Sequence, residues 1–250
     1  MTELGRLLTA MVTPYTTEGA VDYGHARRLA AHLVRSGNDG IVAVGTTGES
    51  PLLNDDEKAR LWEEIKQELG PATLVAGSGT NDTRHSVHLT RLAEKAGADA
   101  ILAVVPYYLR PPQEGIYQHF KAIAESTSLP VILYDVPGRV GTAMTLDTIL
   151  RLAEIPNIVG NKDATANFAQ AAAVIGKLAV PSSGISWMHP FTLFVIAAAG
   201  VFHALEAAGS LHFHRLPPRA WYTPFILFCL LWLVLMFLPR EFTPFIYAQF

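Results

Sequence analysis

The chain has 250 residues, half of them hydrophobic and 16% charged, which excludes a disordered polymer and supports a core of α/β-barrel size. A net charge of -3 leaves no basic surface to neutralise a nucleic-acid backbone. One cysteine, Cys229, excludes a disulfide framework and a cysteine zinc cluster.

Short β-branched apolar runs alternate with helical patterns from the start. Leu7 to Val12 is the first run, closed by Thr13-Pro14. Asp22 then caps a helix whose Ala26, Leu29, Ala30, Leu33 and Val34 share one face, and Gly37 ends it. The second strand is Gly40 to Gly45, and Asn54 with Glu57 forms a capping box for a helix through Leu61, Ile65 and Leu69. Leu74 to Gly77 is strand three, followed by a helix from Asn81 or Asp82 to Ala96. Ala100 to Val105 and Val131 to Asp135 are strands four and five, with helices over Gln113–Glu125 and Thr145–Ala153. Strand six is Ile158 to Asn161, followed by a helix from Ala166 to Lys177.

Strands therefore start roughly every 30 residues, the length of a βαβ repeat. Six such units with fully apolar strands mean a parallel sheet covered by helices. An open doubly wound sheet and a closed (β/α)₈ TIM barrel share that pattern. The barrel is favoured because no glycine-rich dinucleotide fingerprint follows strand one. Polar residues also gather after many strands, as barrel sites require: Thr46-Thr47, Tyr107-Tyr108, Tyr134-Asp135 and Lys162-Asp163.

Lys162 is the sharpest chemical signal. At the end of a buried strand, desolvation disfavours its ammonium and frees an amine that condenses with ketones. Position alone leaves open an ordinary lysine snorkelling to solvent or paired with Asp163. Tyr134 opens Tyr-Asp-Val-Pro-Gly-Arg; a phenol in a barrel mouth relays protons, although tyrosine is also a common half-buried residue. Arg139 in the same loop offers a planar fork for a carboxylate, or is a solvated charge. Gly45-Thr46-Thr47-Gly48-Glu49-Ser50 suits a carboxylate or phosphate, or is a plain turn. The nine histidines show no metal-ligand spacing and read as structural.

Taken together, GTTGES after strand two, VVPYYLRPPQEG after strand four, YDVPGR after strand five and NKDAT after strand six closely resemble the dihydrodipicolinate synthase and N-acetylneuraminate lyase family. The resemblance runs from Leu7 to about Lys177 with every motif in order. It implies a lyase in which Lys162 forms a Schiff base with pyruvate, for condensation with aspartate semialdehyde in lysine and diaminopimelate biosynthesis. Tyr134, Thr46 and Tyr108 are then the proton relay, Tyr108 reaching into a neighbouring subunit's site. Thr46 and Thr47 hold the pyruvate carboxylate, and Arg139 takes the carboxylate of the semialdehyde. The resemblance also implies a homotetramer with no metal or organic cofactor. A sister lyase acting on a keto-sugar acid is the nearest alternative, and Arg139 favours the synthase branch. Two positions depart from the family: Asn161 replaces an aliphatic residue, and Asp135 stands where an asparagine is usual.

Past Lys177 the pattern fails. All charged residues but five (Glu206, Arg215, Arg219, Arg240 and Glu241) lie before residue 178. Ser183-Gly184 survives without the acidic pair that follows it in the family, and residues 200–203 only faintly resemble an eighth strand. Residues 221–239 carry no charge, a length at the threshold for a membrane span, but Pro224 shortens the unbroken run, and a buried helix or an interfacial segment is equally allowed. The expectation is a barrel over 1–205, with units seven and eight weakly specified at 178–183 and 200–205, and an atypical hydrophobic tail over 206–250. A change of reading frame near 178–186 accounts for the shift in composition, and makes a non-catalytic, membrane-associating remnant the alternative from another class. The amino-terminal apolar run is too short for a secretory signal, so a reducing, cytoplasmic address is expected.

Overall fold

The computed structural model describes residues 4–179. It holds six parallel strands: β1 (Leu8–Ala10), β2 (Gly40–Ala43), β3 (Thr73–Gly77), β4 (Ala100–Val104), β5 (Val131–Asp135) and β6 (Ile158–Asp163). They lie in one sheet in the order of the chain, each pairing with the next. That order settles the choice left open by the sequence. A doubly wound sheet reverses direction at a switch point, whereas strands laid down in one direction build a barrel wall. Strands seven and eight, the boundary at residue 205 and the apolar run 221–239 lie outside the described residues.

Helices return the chain between strands: α1 (Tyr23–Arg35), α2 (Asp55–Leu69), α3 (Thr83–Lys95), α4 (Gln113–Glu125), α5 (Pro137–Val140), α6 (Leu146–Ala153) and α7 (Phe168–Ala179). The expected caps are present. Asp22 accepts from the His25 amide, and Asn54 and Glu57 complete a reciprocal capping box. Each satisfies an amide that the first turn would otherwise leave unpaired. Several boundaries differ from expectation: β1 is only Leu8–Ala10, β2 stops at Ala43, and β6 runs on to Asp163. Ala166 adopts φ +58°, so α7 cannot start there; it begins at Phe168, with the Asn167 side chain accepting from the Gln170 amide. The single turn α5 had no periodicity to announce it.

The core lies between strands and helices. Leu61, Trp62 and Ile65 of α2, Ile116, Phe120 and Ile123 of α4, and the apolar residues of β2 to β5 except the half-buried Val104 are buried. Each fully buried aliphatic or phenylalanine side chain contributes about 1.5–3 kcal/mol over leaving it exposed. His119 of α4 belongs to this layer. Its Nδ1 is 2.9 Å from Thr83 Oγ1, and burial pushes its pKa down to about 4, so it is a neutral structural group at neutral pH. Among the described residues no helix is long and apolar enough to cross a membrane.

Candidate active site

At the carboxyl ends of β2 to β5 a cavity of about 260 Å³ opens to solvent. Its walls include Gly45, Thr46 and Ser50 after β2, Gly77 and Gly79 after β3, Tyr107 after β4, and Tyr134 and Arg139 after β5. Two of the glycines let the neighbouring backbones at these strand ends pack closely. A Cβ on Gly77 would lie 2.3 Å from the Val44 carbonyl oxygen, and one on Gly79 would lie 2.4 Å from the Val104 amide. Sequence reasoning had no purchase on these two, because they act through the absence of a side chain.

The turn after β2 is tightly held. Thr13 Oγ1 donates to the Gly48 carbonyl at 2.7 Å, and the amides of Gly48 and Ser50 donate to the Gly45 carbonyl at 3.1 and 3.3 Å. Val44, buried and β-branched, takes φ +59°, a costly conformation that the surrounding structure must enforce. Thr46 and Thr47 are both exposed at the tip. Of the two, Thr46 lines the cavity.

Lys162 reaches the site through a break in strand register. Val131 pairs with Ile158, but Ile132 pairs with Gly160, leaving Val159 as an extra residue in β6. An uninterrupted register would set Lys162 beside Asp135 and, because strand side chains alternate, on the helix-facing side of the sheet. The bulge shifts the pairing by one, so Lys162 stands opposite Tyr134 on the cavity-facing side. Lys162 Nζ lies 4.2 Å from the centre of the Tyr134 ring. Burial lowers its pKa from the ordinary lysine value. The ring face beneath it favours a cation at that point, whether ammonium or iminium. Lys58 is also buried with a lowered pKa, but it sits on α2, 3.9 Å from Asp55 and away from the cavity lining.

The bulge also relocates Asn161. Its neighbour in register is Leu133, so it lies on the face opposite the lysine amine rather than beside it. Its Oδ1 is buried without a hydrogen-bond partner among the described residues.

Arg139 projects from α5 at the exposed rim, next to Tyr134 on the cavity wall. Tyr108 is set apart. It is 87% exposed, adopts φ +71° and does not line the cavity of its own chain. Of the residues named from the sequence, Tyr134, Thr46 and Arg139 line the cavity, and Lys162, which is not part of its lining, is joined to them through the Tyr134 ring. Thr47 and Tyr108 stand outside that group.

The family model described as the dihydrodipicolinate synthetase family matches residues 3–185. The 4-hydroxy-tetrahydrodipicolinate synthase 2 of Streptomyces coelicolor is 52% identical over 187 residues, 74% of this chain and 61% of that protein. The 4-hydroxy-tetrahydrodipicolinate synthase of Acidothermus cellulolyticus is 50% identical over 198 residues, 79% and 64% of the two chains. A solved dihydrodipicolinate synthase of Acinetobacter baumannii, described as chloride inhibited and complexed with pyruvate, is 46% identical. It matches with a TM-score of 0.69 over 70% of this chain and 61% of that one. The chain thus spans about six-tenths of the length of the curated relatives it matches. With the sequential parallel sheet and the motifs in place at its mouth, the chain belongs to the dihydrodipicolinate synthetase family.

Proposed function

We propose that the chain condenses pyruvate with aspartate 4-semialdehyde to give 4-hydroxy-tetrahydrodipicolinate, through an imine on Lys162. The observation that carries this is the half-buried Lys162 amine over the Tyr134 ring, beside a cavity whose wall Tyr134 shares with Thr46 and Arg139. The neutral amine adds to the ketone carbon of pyruvate and water leaves, giving an iminium. Loss of a methyl proton yields an enamine whose carbon attacks the aldehyde. The semialdehyde's own amine then displaces the lysine, which is released unchanged.

In this reading Tyr134, Thr46 and Tyr108 move the protons, and Thr46 with Thr47 hold the pyruvate carboxylate. The Thr46 and Thr47 amides take no part in the hydrogen bonds of the turn, which leaves them to face an anion. Arg139 takes the carboxylate of the semialdehyde. The exposed, strained Tyr108, with Leu109 and Leu52 also exposed, suits a surface covered by a second copy whose site Tyr108 enters. A homotetramer at a cytoplasmic address accompanies the proposal. So does a barrel over 1–205 with a distinct apolar tail over 206–250, and 221–239 as the stretch able to contact a membrane.

The test is borohydride reduction of the full chain with pyruvate, followed by peptide mass spectrometry. The expected adduct sits on Lys162 and disappears in Lys162→Ala. An adduct on Lys58 or Lys121, or none on the wild-type chain, sinks the proposal.

A further inference from the structure

Asp135 has no part in the chemistry just described, yet it is 0% exposed at the end of the strand that carries Tyr134. Its Oδ2 accepts from the Met144 amide at 3.0 Å. Its Oδ1 is buried without a partner among the described residues. Met144 lies on the arm that returns from α5. The chain leaves β5 at Val136, makes the single turn bearing Arg139, reverses at Gly141 with φ +83°, and comes back before α6.

That arm is gripped at three consecutive residues. Gln113 of α4 donates from Nε2 to the Ala143 carbonyl at 2.8 Å and accepts from the Thr145 amide at 3.0 Å. Gln170 of α7 donates to the Met144 carbonyl at 3.0 Å. The two glutamines hold from helices at partly exposed positions. Asp135 holds from within the sheet, one residue from Tyr134, so its grip ties the base of the α5 turn to the strand that carries the phenol.

We infer that Asp135 is a positioning residue: its carboxyl latches the returning arm through the Met144 amide and thereby fixes where Arg139 stands relative to Tyr134 and Lys162. The role needs one acceptor oxygen in that place, and asparagine supplies the same oxygen on a side chain of the same shape. The inference rests on the proposed function for its consequence, but the latch itself is a structural statement.

Asp135→Ala and Asp135→Asn, made in the full chain, test it by amide hydrogen exchange with mass spectrometry and by kinetics. In Asp135→Ala, peptides covering 137–145 should exchange about tenfold faster while those of β3 and β4 keep their rates, since only a local opening is eased. The KM for aspartate semialdehyde should rise by about tenfold, with pyruvate trapping within about twofold of wild type. Asp135→Asn should restore both readouts. A residue that merely supports the fold would move trapping and KM together, and would loosen β3 and β4 as well. Unchanged exchange over 137–145 in Asp135→Ala, or equal damage to trapping and KM, overturns the latch. A wild-type chain that fails to trap pyruvate overturns the proposed function instead, and exchange over 137–145 still decides the latch.

Discussion

β5 and β6 lie side by side and both end at the site, yet they are built differently. All five residues of β5 are buried, and it pairs on both sides, with β4 and with β6. In β6 only Ile158 is buried, and among the described residues it pairs with β5 alone. β5 is a strand of the core that carries Tyr134 at its tip. β6 is set by its neighbour: it carries the amine, and its bulge decides which face the amine points to. The difference teaches that the cavity wall is specified by burial, while the nucleophile's aim is specified by register.

The most severe way to break that comparison is to shift the register after the bulge. Inserting one glycine between Gly160 and Asn161 should set Lys162 opposite Asp135 and turn it toward the helices. The expected result is loss of the pyruvate adduct although the lysine is present, read by borohydride trapping. Trapping at the wild-type rate would show that β6 absorbs the insertion and that register does not aim the lysine.

Substitution rather than insertion should show the opposite hierarchy. Ile132→Ala on β5 empties fully buried space and should cost about 2–5 kcal/mol of stability, whereas Val159→Ala, at a position 47% exposed, should stay within about 0.5 kcal/mol. Denaturant unfolding of the two variants measures this. Similar losses would mean that β6 is as much a core strand as β5.

This asymmetry also explains what could be read in advance. β2 to β5 were legible because a strand buried on both faces must be apolar throughout, and Val131 to Leu133 or Ala100 to Val104 leave no other reading. The bulge was not legible. Nothing in Ile-Val-Gly-Asn-Lys-Asp marks Val159 as the extra residue, since a bulge is a relation between two strands. The short helix α5 falls below any period that a sequence can display. At the site, the chemical groups were visible as residue types in family motifs. The grip on the returning arm was not, because Gln113, Asp135, Met144 and Gln170 come from three different units of the chain. Arg139 was legible as a cation, but what holds it was hidden.

Acidity offers a finer probe of β5. Burial, with the negative charge of Asp163 adding to it, pushes the Asp135 carboxyl up to about 6, while the Met144 amide pulls the other way. An acid whose folded pKa is raised costs nothing below about pH 4, where folded and unfolded chains are both protonated. As the pH rises from about 4 to 6 the unfolded chain ionises first and stability falls, by up to roughly 3 kcal/mol for a shift of about two units. Asp135→Asn escapes this loss. Its stability should match wild type near pH 4 and exceed it above pH 6, by urea unfolding across that range. A difference independent of pH would mean that ionisation of Asp135 is not what distinguishes the two chains.

The last prediction separates the two strands by substrate. In the proposed function Lys162, on β6, meets pyruvate alone, before the second substrate arrives. Arg139 stands beyond β5, at the rim, where a guanidinium fork meets a carboxylate entering from solvent. Loss of a hydrogen bond to a charged group is worth about 1.5–3 kcal/mol, so Arg139→Ala should raise the KM for aspartate semialdehyde roughly 10- to 100-fold. Pyruvate trapping should hardly change, because nothing at Lys162 depends on that guanidinium until the enamine has formed. Arg139→Lys keeps the charge but loses the planar fork, and its KM should fall between those of wild type and the alanine variant. Steady-state kinetics with each substrate varied in turn makes the measurement. If both substrates suffer equally in Arg139→Ala, the division of labour between β5 and β6 is wrong, and Arg139 belongs to the pyruvate site as much as Thr46 does.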